Sequence, residues 1–89
     1  MPTSIDPALS RESGNLSDEF YQNLGIFLTD EQSASQLRKC RDIGRRYGKA
    51  LDKEIETLRS LGGSPEIDLA IQRALEYRRL LDQQIDGLT

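Results

Sequence analysis

Side chains that could carry out catalysis are scarce in this 89-residue chain, which contains no histidine and a single cysteine, Cys40. The commonest general base and a common transition-metal ligand are therefore missing. Carboxylates are abundant, but Asp52, Glu54 and Glu56 fall on different faces of one predicted helix. Fifteen acidic residues in so short a chain also bring some carboxylates together by chance. We therefore expect no enzyme activity, no metal site and no cofactor.

The strongest charge feature is the basic segment, residues 38–49, which holds six cations and one carboxylate. One interpretation is a helix that contacts phosphates, where each cation adds salt-dependent affinity without sequence specificity. This alternative anion-binding site would use Arg38, Arg41, Arg45 and Arg46. The other interpretation is a solvated face whose cations pair with carboxylates. We favour the second, because the chain has a net charge of −3 and the segment has no interleaved aromatic platform, so a nucleic-acid partner is disfavoured.

Several features that the sequence lacks indicate the cellular compartment of the protein. Nowhere do 18 consecutive apolar residues occur, so no membrane span is predicted, and the amino terminus has no secretory signal pattern. A single cysteine excludes an internal disulfide and is compatible with a reducing cytosol. Cys40 itself is expected to pack as a small buried hydrophobe. We therefore expect a cytoplasmic protein.

The spacing of apolar residues predicts a flexible leader followed by helices. Residues 1–15 contain two prolines and no periodicity, which is typical of a flexible leader. Beyond them, apolar residues recur at three- and four-residue steps and predict a short first helix over about 17–28. Thr29 is followed three residues later by Gln32, the spacing of a capping box. This pattern predicts a second helix over about 30–61.

A cluster of turn residues separates the second helix from a third. Gly62 or Gly63 can take the left-handed conformation that closes a helix. Ser64 can cap the next helix, and Pro65 suits its first position because proline lacks the N–H that would go unpaired there. The third helix is predicted over about 65–87.

The chain is predicted to reverse at this turn. Facing residues then have numbers that sum to about 125, and each such pair is apolar or small, as in packed antiparallel helices. The sequence therefore predicts an all-α fold, an antiparallel helical hairpin of two long helices with a short N-terminal helix, forming one domain over 16–89. The predicted pairs are Leu58 with Ile67, Ile55 with Ala70, Leu51 with Ala74, Gly44 with Leu81, Cys40 with Ile85, and Leu37 with Leu88.

More apolar side chains are present than this hairpin can bury. Ile43 and Leu75, for example, lie off its predicted seam. Unburied apolar faces usually mark binding sites, and a helix lying in a groove is their natural use. We therefore expect a non-catalytic interaction module with a protein partner, and a homo-oligomer is also left open. The predicted partner-binding residues are Phe20, Leu24, Phe27, Leu28, Leu69 and Leu80.

The portion from about residue 50 to 88 resembles a known family. It has a helix that ends in Leu61-Gly62-Gly63, a turn with Pro65-Glu66, then Gln72-Arg73 and a closing helix rich in Ala, Leu and Ile. This pattern resembles the small E-component co-chaperones of type III secretion needle assembly. The resemblance implies a cytosolic helical hairpin that joins a tetratricopeptide-like, helical-repeat chaperone and keeps the secreted needle subunit unpolymerised.

The resemblance favours a small cytosolic chaperone or co-chaperone subunit of a bacterial secretion system. Two other functions stay open at this point. One is a nucleic-acid-binding adaptor that uses the basic segment. The other is a small regulator that docks on a signalling protein.

Overall fold

The computed structural model describes residues 11–88, which form three α-helices. These are α1 (Arg11–Thr29), α2 (Ala34–Ser60) and α3 (Pro65–Gly87). No strand occurs within the described range, so the prediction of an all-α fold is confirmed for it. Among the same residues, none of the helices has the length and apolar character needed to cross a bilayer.

α1 begins earlier than the predicted start at about residue 17. Ser13 is fully buried, and it lies on the same stripe of the helix as Leu16 and Phe20, at three- and four-residue steps. Residues 11–15 therefore belong to α1 and not to a flexible leader. The pattern was missed because a buried serine gives no apolar signal. The rest of the predicted leader, residues 1–10, lies outside the described residues.

The predicted capping box at Thr29 is wrong. Thr29 is the last residue of α1, and its hydroxyl donates to the Gly25 carbonyl at 2.7 Å. Ser33 caps α2 instead, because its side chain accepts the backbone N–H of Gln36 at 3.1 Å. The same three-residue spacing occurs at both places, and the hydroxyl of Thr29 is already occupied within α1. α2 therefore begins at residue 34, not at about 30.

Between α2 and α3 the chain turns through the four residues that the sequence singles out. Gly62 has a φ of +87°, so it is the glycine that takes the left-handed conformation. The side chain of Ser64 accepts the backbone N–H of Ile67 at 3.1 Å and caps α3. Pro65 is the first residue of α3. Gly63 is not in the left-handed region.

Replacing the left-handed glycine should destabilise the protein measurably. We expect Gly62→Ala to lower the free energy of unfolding by about 1 kcal/mol, because the left-handed conformation costs an L-residue roughly 1–2 kcal/mol. Gly63→Ala is the matched control, and it should change stability by less than about 0.5 kcal/mol. Urea denaturation followed by circular dichroism measures both. Equal losses in the two variants would contradict the assignment of the turn.

A core cluster draws side chains from all three helices. Its centre lies at Gly44 of α2, where an added Cβ would be 2.9 Å from Phe20 Cε1 of α1 and 3.1 Å from Ile85 Cδ1 of α3. The sequence predicted Leu81 as the neighbour of Gly44, but the nearest atoms come from α1 and from the next turn of α3. The buried members of this cluster are Phe20, Leu24, Ile43, Tyr47, Leu51 and Leu81.

A second, smaller cluster lies closer to the turn. It joins Ile55 and Leu58 of α2 to Ala70 and Ala74 of α3. The side chains of α3 that are fully enclosed here are small, which favours close approach to α2, and the partly buried Ile67 and Ile71 pack against the cluster from outside. α2 thus contacts α1 on one side and α3 on another, and it carries most of the buried residues.

Candidate interaction surfaces

Two of the predicted partner-binding residues lie inside the protein. Phe20 is 0% exposed and Leu24 is also buried, both within the main core cluster. The Phe20 ring lies 6.4 Å from that of Tyr47 and 5.1 Å from that of Tyr21, measured between ring centroids. This corrects the expectation that Phe20 and Leu24 face a partner. The prediction counted contacts between the two long helices alone, so Ile43, which packs in the same cluster as α1, was also wrongly left off the core.

The other four predicted partner-binding residues are at least partly accessible. Phe27 is half-buried, and Leu28, near the end of α1, is exposed. Leu69 is 51% exposed and Leu80 is 37% exposed, both on α3. Exposed leucines on a helix that buries its opposite side are candidates for contact with another molecule.

Leu69 and Leu80 lie on one face of α3. Leu69, Arg73, Glu76 and Leu80 follow one another at steps of four, three and four residues, which places them in a row. We call these four residues the leucine face. The two leucines are separated by about 16 Å along the helix, from the rise of 1.5 Å per residue. Leu75 is 44% exposed as well, but the step of six residues from Leu69 to Leu75 rotates it by about 240° around the helix axis. Leu75 therefore does not lie on the leucine face.

A polar contact fixes α1 against α2. The Gln36 side-chain amide donates to the backbone carbonyl of Asn23 at 3.0 Å and to its side-chain oxygen at 3.2 Å. Asn23 in turn donates to the Glu19 carbonyl at 2.8 Å. No buried side-chain nitrogen or oxygen lacks a partner within residues 11–88. Sequence reasoning gave Asn23 and Gln36 no role, since polar residues on a buried stripe carry no periodic apolar signal.

Tyr47 is buried in the main core cluster, Tyr77 packs against that cluster, and Tyr21 is exposed but lies beside Phe20. Burial raises the pKa of Tyr47, a hydrogen bond with Ser17 lowers it, and proximity to Tyr77 raises it again. Burial also raises the pKa of Tyr21, with a smaller contribution from Tyr47. Tyr21 and Tyr47 therefore stay protonated at neutral pH. A raised pKa leaves little of the phenolate form at neutral pH, which does not favour either tyrosine as a general base there.

Cys40 lies in an environment that suppresses thiol chemistry. Its side chain is fully buried, and burial raises the pKa of the thiol, which reduces the thiolate fraction at neutral pH. The Gln36 side-chain amide donates a long hydrogen bond to Sγ at 3.9 Å. In residues 11–88 no group of three or more histidine, cysteine or acidic side chains is arranged to hold a metal ion.

The four predicted anion-binding arginines do not form one site. Arg38, Arg41 and Arg45 line a shared depression on the surface of α2. We call these three residues the arginine face. Arg46 lies on a different surface, next to α1, and pairs with Asp42 at 3.0 Å. The angular step of a helix, 100° per residue, separates Arg45 from Arg46 and could have revealed this division from the sequence.

The expected pairing of the basic segment with carboxylates occurs only in part. Arg46 pairs with Asp42, but Asp82 pairs with Arg78 of its own helix. Arg78 also binds Asp52 at 3.1 Å and places its guanidinium against Gly48. The three arginines of the arginine face form no ion pair with any carboxylate of residues 11–88.

Two surfaces therefore stand out, the leucine face of α3 and the arginine face of α2. No family model, curated protein or solved structure matches this chain. The functional inference consequently depends on the chemistry of these two surfaces and on the residues that hold them in place.

Proposed function

We propose that the protein is a non-catalytic protein–protein interaction module, a small cytosolic chaperone or co-chaperone subunit of a bacterial secretion system. The observation that carries this proposal is the leucine face, where Leu69 and Leu80 leave much of their apolar surface in water. Burying a leucine completely is worth about 1.5–3 kcal/mol relative to exposure. A partner that covers both leucines therefore gains affinity without rearrangement of α3.

We propose that the leucine face docks into a groove between two helices of a helical-repeat partner. Leu69 and Leu80 act as two anchors three turns apart, with Arg73 and Glu76 between them. A groove between two partner helices can accept the two leucine side chains. Charged groups of either sign on the walls of this groove can pair with Arg73 and Glu76. Glu76 is bound to Arg79 by an exposed ion pair, which is weak enough to be exchanged for a contact with the partner.

The proposal includes an antiparallel hairpin formed by α2 and α3, which presents the leucine face as one side of a stiff rod. Two observations support this arrangement. Close to the turn, Ile55 and Leu58 cluster with Ala70 and Ala74. Far from the turn, the space above Gly44 is occupied by Ile85.

The assignment to a secretion chaperone is supported by the resemblance of residues 50–88 to the needle co-chaperones. A regulator of a signalling protein would present the same kind of face, so the identity of the partner separates the two functions. Catalysis is not part of the proposal. The sequence has no histidine, and Cys40 and Tyr47 are buried.

The leucine face can be tested by comparing three substitutions in the full chain. Leu69→Asp and Leu80→Asp place a carboxylate on the proposed surface, and Leu75→Asp places the same group elsewhere on α3. Each protein is immobilised and exposed to a lysate of the native host, and bound proteins are identified by mass spectrometry. We expect the wild type and Leu75→Asp to retain a helical-repeat chaperone, and the other two variants to lose it. Circular dichroism should show equal helicity in all four proteins.

Three outcomes would contradict this proposal. Retention of the partner by Leu69→Asp and Leu80→Asp, or its loss by Leu75→Asp as well, would show that binding is not specific to the leucine face. A retained protein from a signalling pathway would support the regulator in place of the chaperone. A wild-type dimer in analytical ultracentrifugation that Leu69→Asp dissociates would assign the face to a second copy of the chain.

A further inference from the structure

We propose that the arginine face is a second binding surface, which recognises a carboxylate-rich helical segment of a protein partner. It shares no residue with the leucine face and lies on a different helix. The inference therefore goes beyond the proposed function, and its test does not need the partner of the leucine face.

Charge is strongly segregated along the chain. α2 contains eight of the twelve basic residues but only four of the fifteen acidic ones. The chain as a whole is acidic, so carboxylates to neutralise α2 exist elsewhere in it. The arginine face nevertheless pairs with none of them within residues 11–88. Three neighbouring guanidinium groups that repel one another thus stay available to an outside anion.

The spacing of the arginine face fits one side of a helix. Arg38, Arg41 and Arg45 lie at positions i, i+3 and i+7, and they span about 10 Å along α2. Ser35 and Lys39 border the same depression. Each guanidinium can bind a carboxylate through two parallel N–H···O bonds, which a lysine cannot do. A partner helix with glutamates at matching steps would place one carboxylate opposite each arginine.

Nucleic acid fits this surface less well than a carboxylate-rich helix. Asp42 lines the same depression, and Asp52 and Asp82 line the adjoining one that shares Arg41 and Arg45. A DNA duplex carries a charge every 1.7 Å or so along its axis, so its backbone would run past the arginines and onto these acids. No aromatic side chain lines either depression to stack on a base. A short run of carboxylates can end within the roughly 10 Å that the arginines span, so it does not reach Asp52 and Asp82, and it needs no stacking partner. Asp42 is paired with Arg46, which offsets its charge.

The test uses a fluorescein-labelled, alanine-based helical peptide with glutamates at i, i+3 and i+7, and fluorescence anisotropy at about 50 mM salt, where exposed charges are only partly screened. We expect the full-length protein to bind this peptide and not its glutamine counterpart. Arg45→Gln should weaken binding about fivefold, and the R38Q/R41Q/R45Q variant should abolish it. Arg46→Gln is the matched control on the other side of α2 and should stay within about twofold of the wild type. Arg45→Lys should bind less tightly than the wild type, because it keeps the charge and loses the bidentate geometry.

Other results would overturn the inference. If Arg46→Gln weakens binding as much as Arg45→Gln, the attraction is a general effect of the basic segment. If a short DNA duplex binds more tightly than the glutamate peptide under the same conditions, the face is a phosphate-binding surface. If neither probe binds, the arginine face is solvated and not a site.

Discussion

Phe20→Ala is expected to lower the free energy of unfolding by about 3–5 kcal/mol, the usual cost of removing a large aromatic side chain from a packed core. Phe20 is fully buried and is the part of α1 that enters the space above Gly44. A domain of this size has a total stability of roughly 5–10 kcal/mol, so the loss removes a large part of it. Urea denaturation with circular dichroism measures the effect. Hydrogen exchange should show that the amides of α1 lose protection first.

Leu28→Ala provides the matched control for this prediction. Leu28 is a large apolar residue of the same helix, but it is exposed, so its truncation should change stability by less than about 0.5 kcal/mol. A loss from Phe20→Ala that is as small as the one expected from Leu28→Ala would mean that α1 is not held by Phe20. In that case Phe20 would return to the set of residues available to a partner.

The elements that sequence analysis placed well are those specified by local chemistry. The turn needs a residue at positive φ, a side-chain cap and a residue without an N–H, and Gly62, Ser64 and Pro65 supply these within four positions. Such signals act between near neighbours, so they do not depend on the rest of the fold. The start of α3 at Pro65 follows directly from them.

The position of α1 depended on contacts that local chemistry does not encode. Ser13, Asn23 and Gln36 are buried, and each is polar, so an apolar pattern leaves them out. The contact between Gln36 and Asn23 spans thirteen residues and exists only once α1 lies along α2. Phe20 was predicted to bind a partner for the same reason, since nothing in the spacing of α1 alone says what covers it.

The candidate surfaces also combine features that the sequence indicates with features that depend on the rest of the fold. The exposure of Leu69 and Leu80 follows from their place off the apolar stripe of α3, which the sequence already indicates. The sequence also indicates that Arg45 and Arg46 point in different directions, because successive residues of a helix are rotated by 100°. Which arginines have a carboxylate within reach also depends on the side chains of other elements, as the ion pair between Arg78 of α3 and Asp52 of α2 demonstrates.

Gly44→Leu is expected to destabilise the protein by about 3 kcal/mol or more, because enlarging a side chain in a closed space forces its neighbours apart. Even a Cβ at this position would lie 2.9 Å from Phe20 and 3.1 Å from Ile85. The helix propensity of leucine offsets only about 1 kcal/mol of the cost. The neighbours belong to α1 and α3, so both helices have to move. Thermal unfolding should show a lower midpoint and a broader transition.

Gly25→Leu is the control, since Gly25 is also inside a helix but has no atom within 4 Å of an added Cβ. It should raise stability by up to about 1 kcal/mol through helix propensity. The double variant F20A/G44L tests the cause directly. Removing the Phe20 ring opens the space that the introduced leucine side chain needs. The double variant should therefore lose clearly less free energy of unfolding than the sum of the losses in the two single variants. Strict additivity would mean that Phe20 and Gly44 do not meet, and the packing of α1 on α2 at this position would have to be abandoned.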